Sequence, residues 1–118
     1  MLKEYLEIYF LNKQKNKWLH SRTFSDLKKQ LLMELEELEK ALASGNKKEI
    51  ICELGDVLMD ALNIVAWVTL KYGIKEEEVL QASVKKQKHR KPWLFSDQDL
   101  SEEEQVRIWY EQKEKEEC

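Results

Sequence analysis

The stretch NKKEIICELGDVLMDALNIVAWVTL, residues 46–70, decides how this chain is read. It is long and apolar, and it predicts a central helix. Glu53, Asp56, Asp60 and Asn63 interrupt it. At about 100° per residue, these four fall in one wedge roughly 80° wide. Ile50, Leu54, Val57, Leu58, Ala61, Ile64, Val65 and Val68 surround them. Ionised carboxylates beside such apolar surface are costly unless paired or bound to a cation. No Lys, Arg or His lies between Glu49 and Leu70, so the compensating charge must come from elsewhere.

Upstream, DLKKQLLMELEELEKALAS, residues 26–44, predicts a second helix. Leu27, Leu31, Leu35, Leu38 and Leu42 form its expected buried stripe. Glu34 falls at one edge of that stripe and Glu37 further round on the same side. Glu39 lies past the opposite edge, and Glu36 faces water. Gly45 suits the left-handed position after a helix end. Asn46 followed by Glu49 resembles a capping box. A connection this short predicts antiparallel packing of the two helices. Glu34/Glu37 and Glu53/Asp56, each pair three residues apart, would then face one another.

Four or five carboxylates in one pocket cannot all stay ionised without a cation. Oxygen donors without histidine select Mg2+ or Mn2+ over zinc, and Mg2+ so held takes its other ligands from water and phosphate. An exposed Glu pair at this spacing is more commonly a solvated face. The acids of 46–70 are the stronger sign, because their surroundings are apolar.

Outward from these helices the pattern stays helical. Residues 2–14 carry Leu2, Tyr5, Leu6, Tyr9 and Phe10 at helical spacing, predicting a first helix with an aromatic face. Residues 16–24, with Trp18, His20, Arg22 and Phe24, read as an irregular loop, with Thr23 or Ser25 as the next cap. Beyond Tyr72-Gly73, residues 74–91 predict a fourth helix that Pro92 stops. Its acidic start and basic end complement the helix dipole. The basic run Lys85, Lys86, Lys88, His89, Arg90, Lys91 also offers cations for phosphate. Residues 92–100 read as a loop. Ser101 and Glu104 cap a last charged helix over 102–116, with Val106, Trp109 and Tyr110 as its contacts. Met33, Met59 and Trp67 read as core, Cys52 as a small buried hydrophobe, and His20 and His89 as surface residues.

At 118 residues the chain is expected to be a single all-α domain spanning 1–118. Charged residues make up 36% of it, with Gly and Pro scarce, which fits helices better than turns. A net charge of −3 implies no general attraction to nucleic acid. Cys52 and Cys118 are too few for a disulfide scaffold, so a reduced, cytoplasmic setting is expected. The N-terminus lacks the uncharged core of a signal peptide. The uncharged part of the central helix, 61–70, is too short to span a membrane. That helix is apolar nearly all round, which predicts self-association of the chain.

Glu34-x-x-Glu37, fifteen residues, then Glu53-Leu54-Gly55-Asp56 resembles the EExxE…ExxD signature of the MazG-like nucleotide pyrophosphohydrolases, the all-α NTP pyrophosphatase superfamily. ELGDVLMDALN is close to that family's wording, and KKQKHRKPWLF, residues 85–95, resembles its basic segment. The resemblance runs from about 26 to 95. A charged C-terminal helix, 101–117, lies outside it. Met33 stands where members often carry another Glu, and no Asn occurs between Lys85 and Lys91.

The resemblance implies a four-helix core with that additional C-terminal helix, assembled as a homodimer or dimer of dimers. It implies hydrolysis of a nucleoside triphosphate to monophosphate and pyrophosphate with Mg2+, or Mn2+. Glu34, Glu37, Glu53 and Asp56 would be the metal ligands, with Glu37 or Glu53 activating water. Lys86 and Arg90 would contact phosphates. By position alone, one to two turns along the same stripe, Asp60 and Asn63 would reach the sugar, the base or a second metal, and Trp18, Phe24 or Tyr9 would stack on the base. The rival readings are a phosphoribosyl-ATP pyrophosphohydrolase and a non-catalytic helical interaction module. A di-iron bundle needs Glu-x-x-His pairs, which neither His20 nor His89 supplies.

Overall fold

A computed structural model describes residues 1–116. The elements are α1 (Leu2–Lys15), α2 (Lys17–His20), α3 (Phe24–Ser44), α4 (Lys47–Tyr72), α5 (Glu76–Arg90), a 3-10 turn (Pro92–Phe95) and α6 (Glu102–Glu114). No strand occurs among the described residues, as the all-α expectation requires. The chain forms two compact units, Met1–Ile74 and Lys75–Cys118.

In the first unit, α3 and α4 pack as a hairpin, with α1 and α2 against α4. Local chemistry sets the ends of the hairpin. Thr23 Oγ1 accepts from the Asp26 N–H at 3.2 Å, and Asp26 returns a carboxylate to the Thr23 N–H at 2.9 Å. These bonds, led by the Thr23 backbone, hold the Asp26 carboxyl below its usual range. Gly45 ends α3 at φ 70°, a conformation that costs a residue with a Cβ. Asn46 Oδ1 caps α4 through the N–H groups of Lys48 and Glu49. Glu49 does not close the expected box. Its carboxylate takes the Ser44 hydroxyl at 3.1 Å, and Ser44 Oγ accepts from the Asn46 N–H.

Tyr9, Leu19, Leu27 and Ala66 form the buried core, with Leu62, Ile64, Val65 and Trp67 packed against it. Several sequence expectations are corrected here. Residues 16–24 are not wholly irregular: Asn16 accepts from the Leu19 N–H and starts the helical turn α2. Of the expected α3 stripe, Leu27 is buried, whereas Leu35 and Leu42 are exposed. Met33 and Cys52, expected inside, are also exposed. Leu54 and Leu58 on α4 are each about half exposed. One layer of short helices cannot cover both faces of this hairpin. Cys118 lies outside the described residues.

In the second unit, α5 packs with α6 and with the 3-10 turn that Pro92 begins. Arg90 reaches Glu116 with Nη2 at 2.6 Å from Oε2, and Nε is 3.0 Å from both carboxylate oxygens. The Arg90 guanidinium also stands 5.7 Å from the Trp109 ring centre. Ser101 caps α6 through the Glu104 N–H. That helix ends at Glu114, short of the 116 expected. No helix among the described residues is long and apolar enough to cross a membrane.

Candidate metal centre

The antiparallel hairpin sets the side chains of α3 opposite those of α4. Glu34 from α3 and Glu53 and Asp56 from α4 each place a carboxylate oxygen within 4.8 Å of the other two. Partial burial raises the Glu34 pKa, and the charges of Asp56, Asp60 and Glu53 add to the rise. The Gln30 amide donates to Glu34 Oε1 at 3.4 Å. Asp60 lies one turn beyond Asp56. Burial raises its pKa and Asp56 adds to it. Asp60 Oδ2 is buried without a hydrogen-bond partner among the described residues.

Such a group fits a divalent cation bound by hard oxygen ligands. Its three donors are carboxylates at mutually short range. Glu34 among them and the neighbouring Asp60 hold protons more tightly than usual. No lysine or arginine among the described residues forms a salt bridge with Glu34, Glu53, Asp56 or Asp60. A cation here removes the repulsion that raises the pKa values and gives the charges a partner. Oxygen-only donors match Mg2+ or Mn2+ chemistry.

The other sequence-nominated residues are placed as follows. Glu37 is not in the trio. It lies exposed, with Lys40 Nζ 3.4 Å from its Oε1; three residues along a helix keep it on the same side as Glu34, but the rotation of α3 against α4 carries it past the rim of the trio. Trp18 sits on α2, partly exposed, with the Arg22 guanidinium 5.5 Å from its ring centre. Lys86 and Arg90 lie on α5 in the second unit, where Glu116 engages Arg90. Trp67 is half-buried, and its indole N–H donates to the Arg22 carbonyl at 2.9 Å.

Asn63 is one turn past Asp60 on the same face of α4, and here the structure adds what sequence reasoning missed. Asn12 of α1 donates its amide to Asn63 Oδ1 at 2.7 Å. Asn16 donates to Asn12 Oδ1, also at 2.7 Å. The sequence signal was two asparagines four residues apart at a helix end.

Residues 22–95 match the family described as the MazG nucleotide pyrophosphohydrolase domain. This chain belongs to that family. The MazG domain here is similar to the crystal structure of a MazG-related protein from Thermotoga maritima, at 36% identity and a TM-score of 0.85. That likeness covers 95% of this chain and 98% of the other. It is also 34% identical, over 98 residues, to the nucleoside triphosphate pyrophosphohydrolase of Mycolicibacterium smegmatis. The match covers 81% of this chain and 30% of that protein, so this MazG chain spans about a third of its relative's length. The matched region contains all of Glu34, Glu53, Asp56 and Asp60.

Proposed function

We propose that this MazG domain hydrolyses nucleoside or deoxynucleoside triphosphates to the monophosphate and pyrophosphate. The observation that carries the reading is the convergence of Glu34, Glu53 and Asp56 from two helices. Glu34, Glu53 and Asp56 would hold Mg2+, or Mn2+ in its place, with Asp60 beside them. When bound, such an ion withdraws charge from phosphorus and lowers the pKa of a water ligand.

The chain's own residues supply the rest. Glu53, or Glu37, would take a proton from the attacking water. Glu37 would first have to leave Lys40, which a change of rotamer allows. Asp60 and Asn63 extend the same face toward the sugar and base, and Trp18 offers a stacking surface. Lys86 and Arg90 are proposed as phosphate cations, and Arg90 would exchange the Glu116 carboxylate for a phosphate oxygen.

The exposed Leu54, Leu58 and Ile51 of α4 and Leu32, Met33 and Leu35 of α3 support a homodimer or a dimer of dimers, since apolar area of this kind favours association. A cytoplasmic setting is proposed from the nucleotide substrate and the unpaired, exposed Cys52.

The test is a panel of NTPs and dNTPs with Mg2+, read as pyrophosphate release against a Glu53→Gln variant. Release above that background supports the reading. Turnover of phosphoribosyl-ATP alone would move the substrate to that class. No turnover, together with no Mg2+-dependent rise in melting temperature, would leave a helical interaction module.

A further inference from the structure

The asparagine ladder between α1 and α4 has a direction, and one backbone group sets it. The Leu19 N–H is a donor, 3.4 Å from Asn16 Oδ1. Asn16 must therefore present its oxygen to Leu19, which leaves its NH2 for Asn12. Asn12 then offers Oδ1 to Asn16 at 2.7 Å and its own NH2 to Asn63. Asn63 must receive that NH2 with its Oδ1, at 2.7 Å. An amide has one acceptor end and one donor end, so what remains on Asn63 is its NH2. That group has no hydrogen-bond partner among the described residues. The one hydrogen bond of the Asn63 side chain among the described residues is that from Asn12, so Asp60, one turn back on the same face, does not take the NH2, and Asp60 Oδ2 is unpartnered as well.

We infer that Asn12 is a positioning residue that fixes Asn63 as a hydrogen-bond donor, so that the site selects nucleotides presenting an acceptor there. This rests on the pyrophosphohydrolase reading and deepens it into a statement about the base. Asn63 lies seven residues from Asp56, about 10 Å along the helix axis, which suits contact with the nucleoside end of a substrate whose phosphates meet the acids. Bases with a carbonyl at pyrimidine position 4 or purine position 6 are then favoured over those with an amine. A half-buried Asn63 held in this orientation by Asn12 loses a hydrogen bond when an amine stands there, and such an unmatched polar contact discriminates between substrates.

The ladder also explains why Asn12 acts through another residue. Its own amide is consumed at both ends. Replacing it with Asp keeps a hydrogen-bonding group of the same shape but removes the donor. Asn63 then turns over, gives its NH2 to the new carboxylate, and presents its oxygen instead.

The test compares UTP with CTP, and GTP with ATP, measuring kcat and KM separately for the wild type, Asn12→Asp and Asn63→Asp. The wild type should favour UTP and GTP in kcat/KM. Asn12→Asp should shrink or reverse both preferences by about tenfold or more, through KM, with kcat little changed; a contact worth one hydrogen bond supports a change of that order. Asn63→Asp, which still accepts from Asn12 but has no NH2, should shift the preferences the same way. A residue with only a structural role would lower kcat and melting temperature and leave the base preference intact.

Unchanged preferences in both variants would overturn the inference while turnover upheld the proposed function. Binding of the same nucleotides as α,β-imido analogues, read by calorimetry, separates the two claims. Selective binding without turnover would keep the inference and remove the activity. Absence of both binding and turnover would remove both.

Discussion

Glu34 and Asp56 come from different helices, yet their carboxylate oxygens lie within 4.8 Å, with Glu53 as close to each. Nothing in the hairpin needs these charges together for stability. Their proximity costs free energy until a cation arrives, so each residue has opposite effects on the metal-free and the metal-bound protein.

Glu34→Gln and Asp56→Asn should therefore melt no lower than the wild type in EDTA, and Mg2+ should cease to raise their melting temperature. Pyrophosphate release should fall by at least about 100-fold, since even the groups behind metal ligands cost 10- to 100-fold. Glu37→Gln should cost less than Glu53→Gln, because only Glu53 belongs to the trio. An undiminished Mg2+-induced shift in both trio variants would remove these residues from the site.

The pKa directions give a pH dependence. Glu34 and Asp60 are both raised above their ordinary values of 4.5 and 3.8. The folded chain thus binds these protons more tightly than the unfolded one. Stability falls as pH rises from the ordinary carboxylate range through the raised folded values, and the whole penalty is present above them. In EDTA, the melting temperature of the wild type relative to Glu34→Gln should drop across that window. Saturating Mg2+ should flatten the difference, and calorimetry at several pH values reads both effects.

Arg90 holds Glu116 at about 2, well below its usual 4.5, chiefly through their hydrogen bonds, with His89 assisting. The stability this pair contributes is present above pH 4.5 and is lost as pH falls through the depressed value. On the phosphate role proposed for Arg90, Glu116 would compete with the substrate for its guanidinium. Glu116→Ala should lower KM for the nucleotide by about two- to fivefold, the range an ion pair at the surface allows. A raised KM would mean that Glu116 orients Arg90 instead.

Two glycines should respond in opposite ways. Gly45 sits at φ 70°, and an added Cβ would meet nothing within 4 Å, so Gly45→Ala costs only the backbone term, about 1 kcal/mol. Gly55 is within α4 and also has open space around an added Cβ. Gly55→Ala should stabilise by about 0.5–1 kcal/mol and leave Mg2+ binding intact. Chemical denaturation of the two variants checks both signs.

Much of this architecture was legible in the chain. Helix ends followed from Thr23, Gly45, Asn46, Gly73 and Ser101, because caps act over three or four residues and need no partner elsewhere. The face shared by Glu53, Asp56, Asp60 and Asn63 followed from helical period alone. Burial was less legible. Leu35, Leu42, Met33 and Cys52 are apolar, but period cannot say how many neighbours a small unit has to cover them.

By itself, the sequence determined an all-α chain with an acidic face on its central helix and a second acid pair on the helix before it. Only the tertiary structure decided which acids meet. It joined Glu34 to Glu53 and Asp56 and left Glu37 with Lys40, because the rotation of one helix about its axis relative to another is set by packing between them. The Asn12–Asn63 bond spans 51 positions, and its donor direction depends on a backbone N–H at Leu19. No local pattern encodes that, since it exists only once α1, α2 and α4 are packed together.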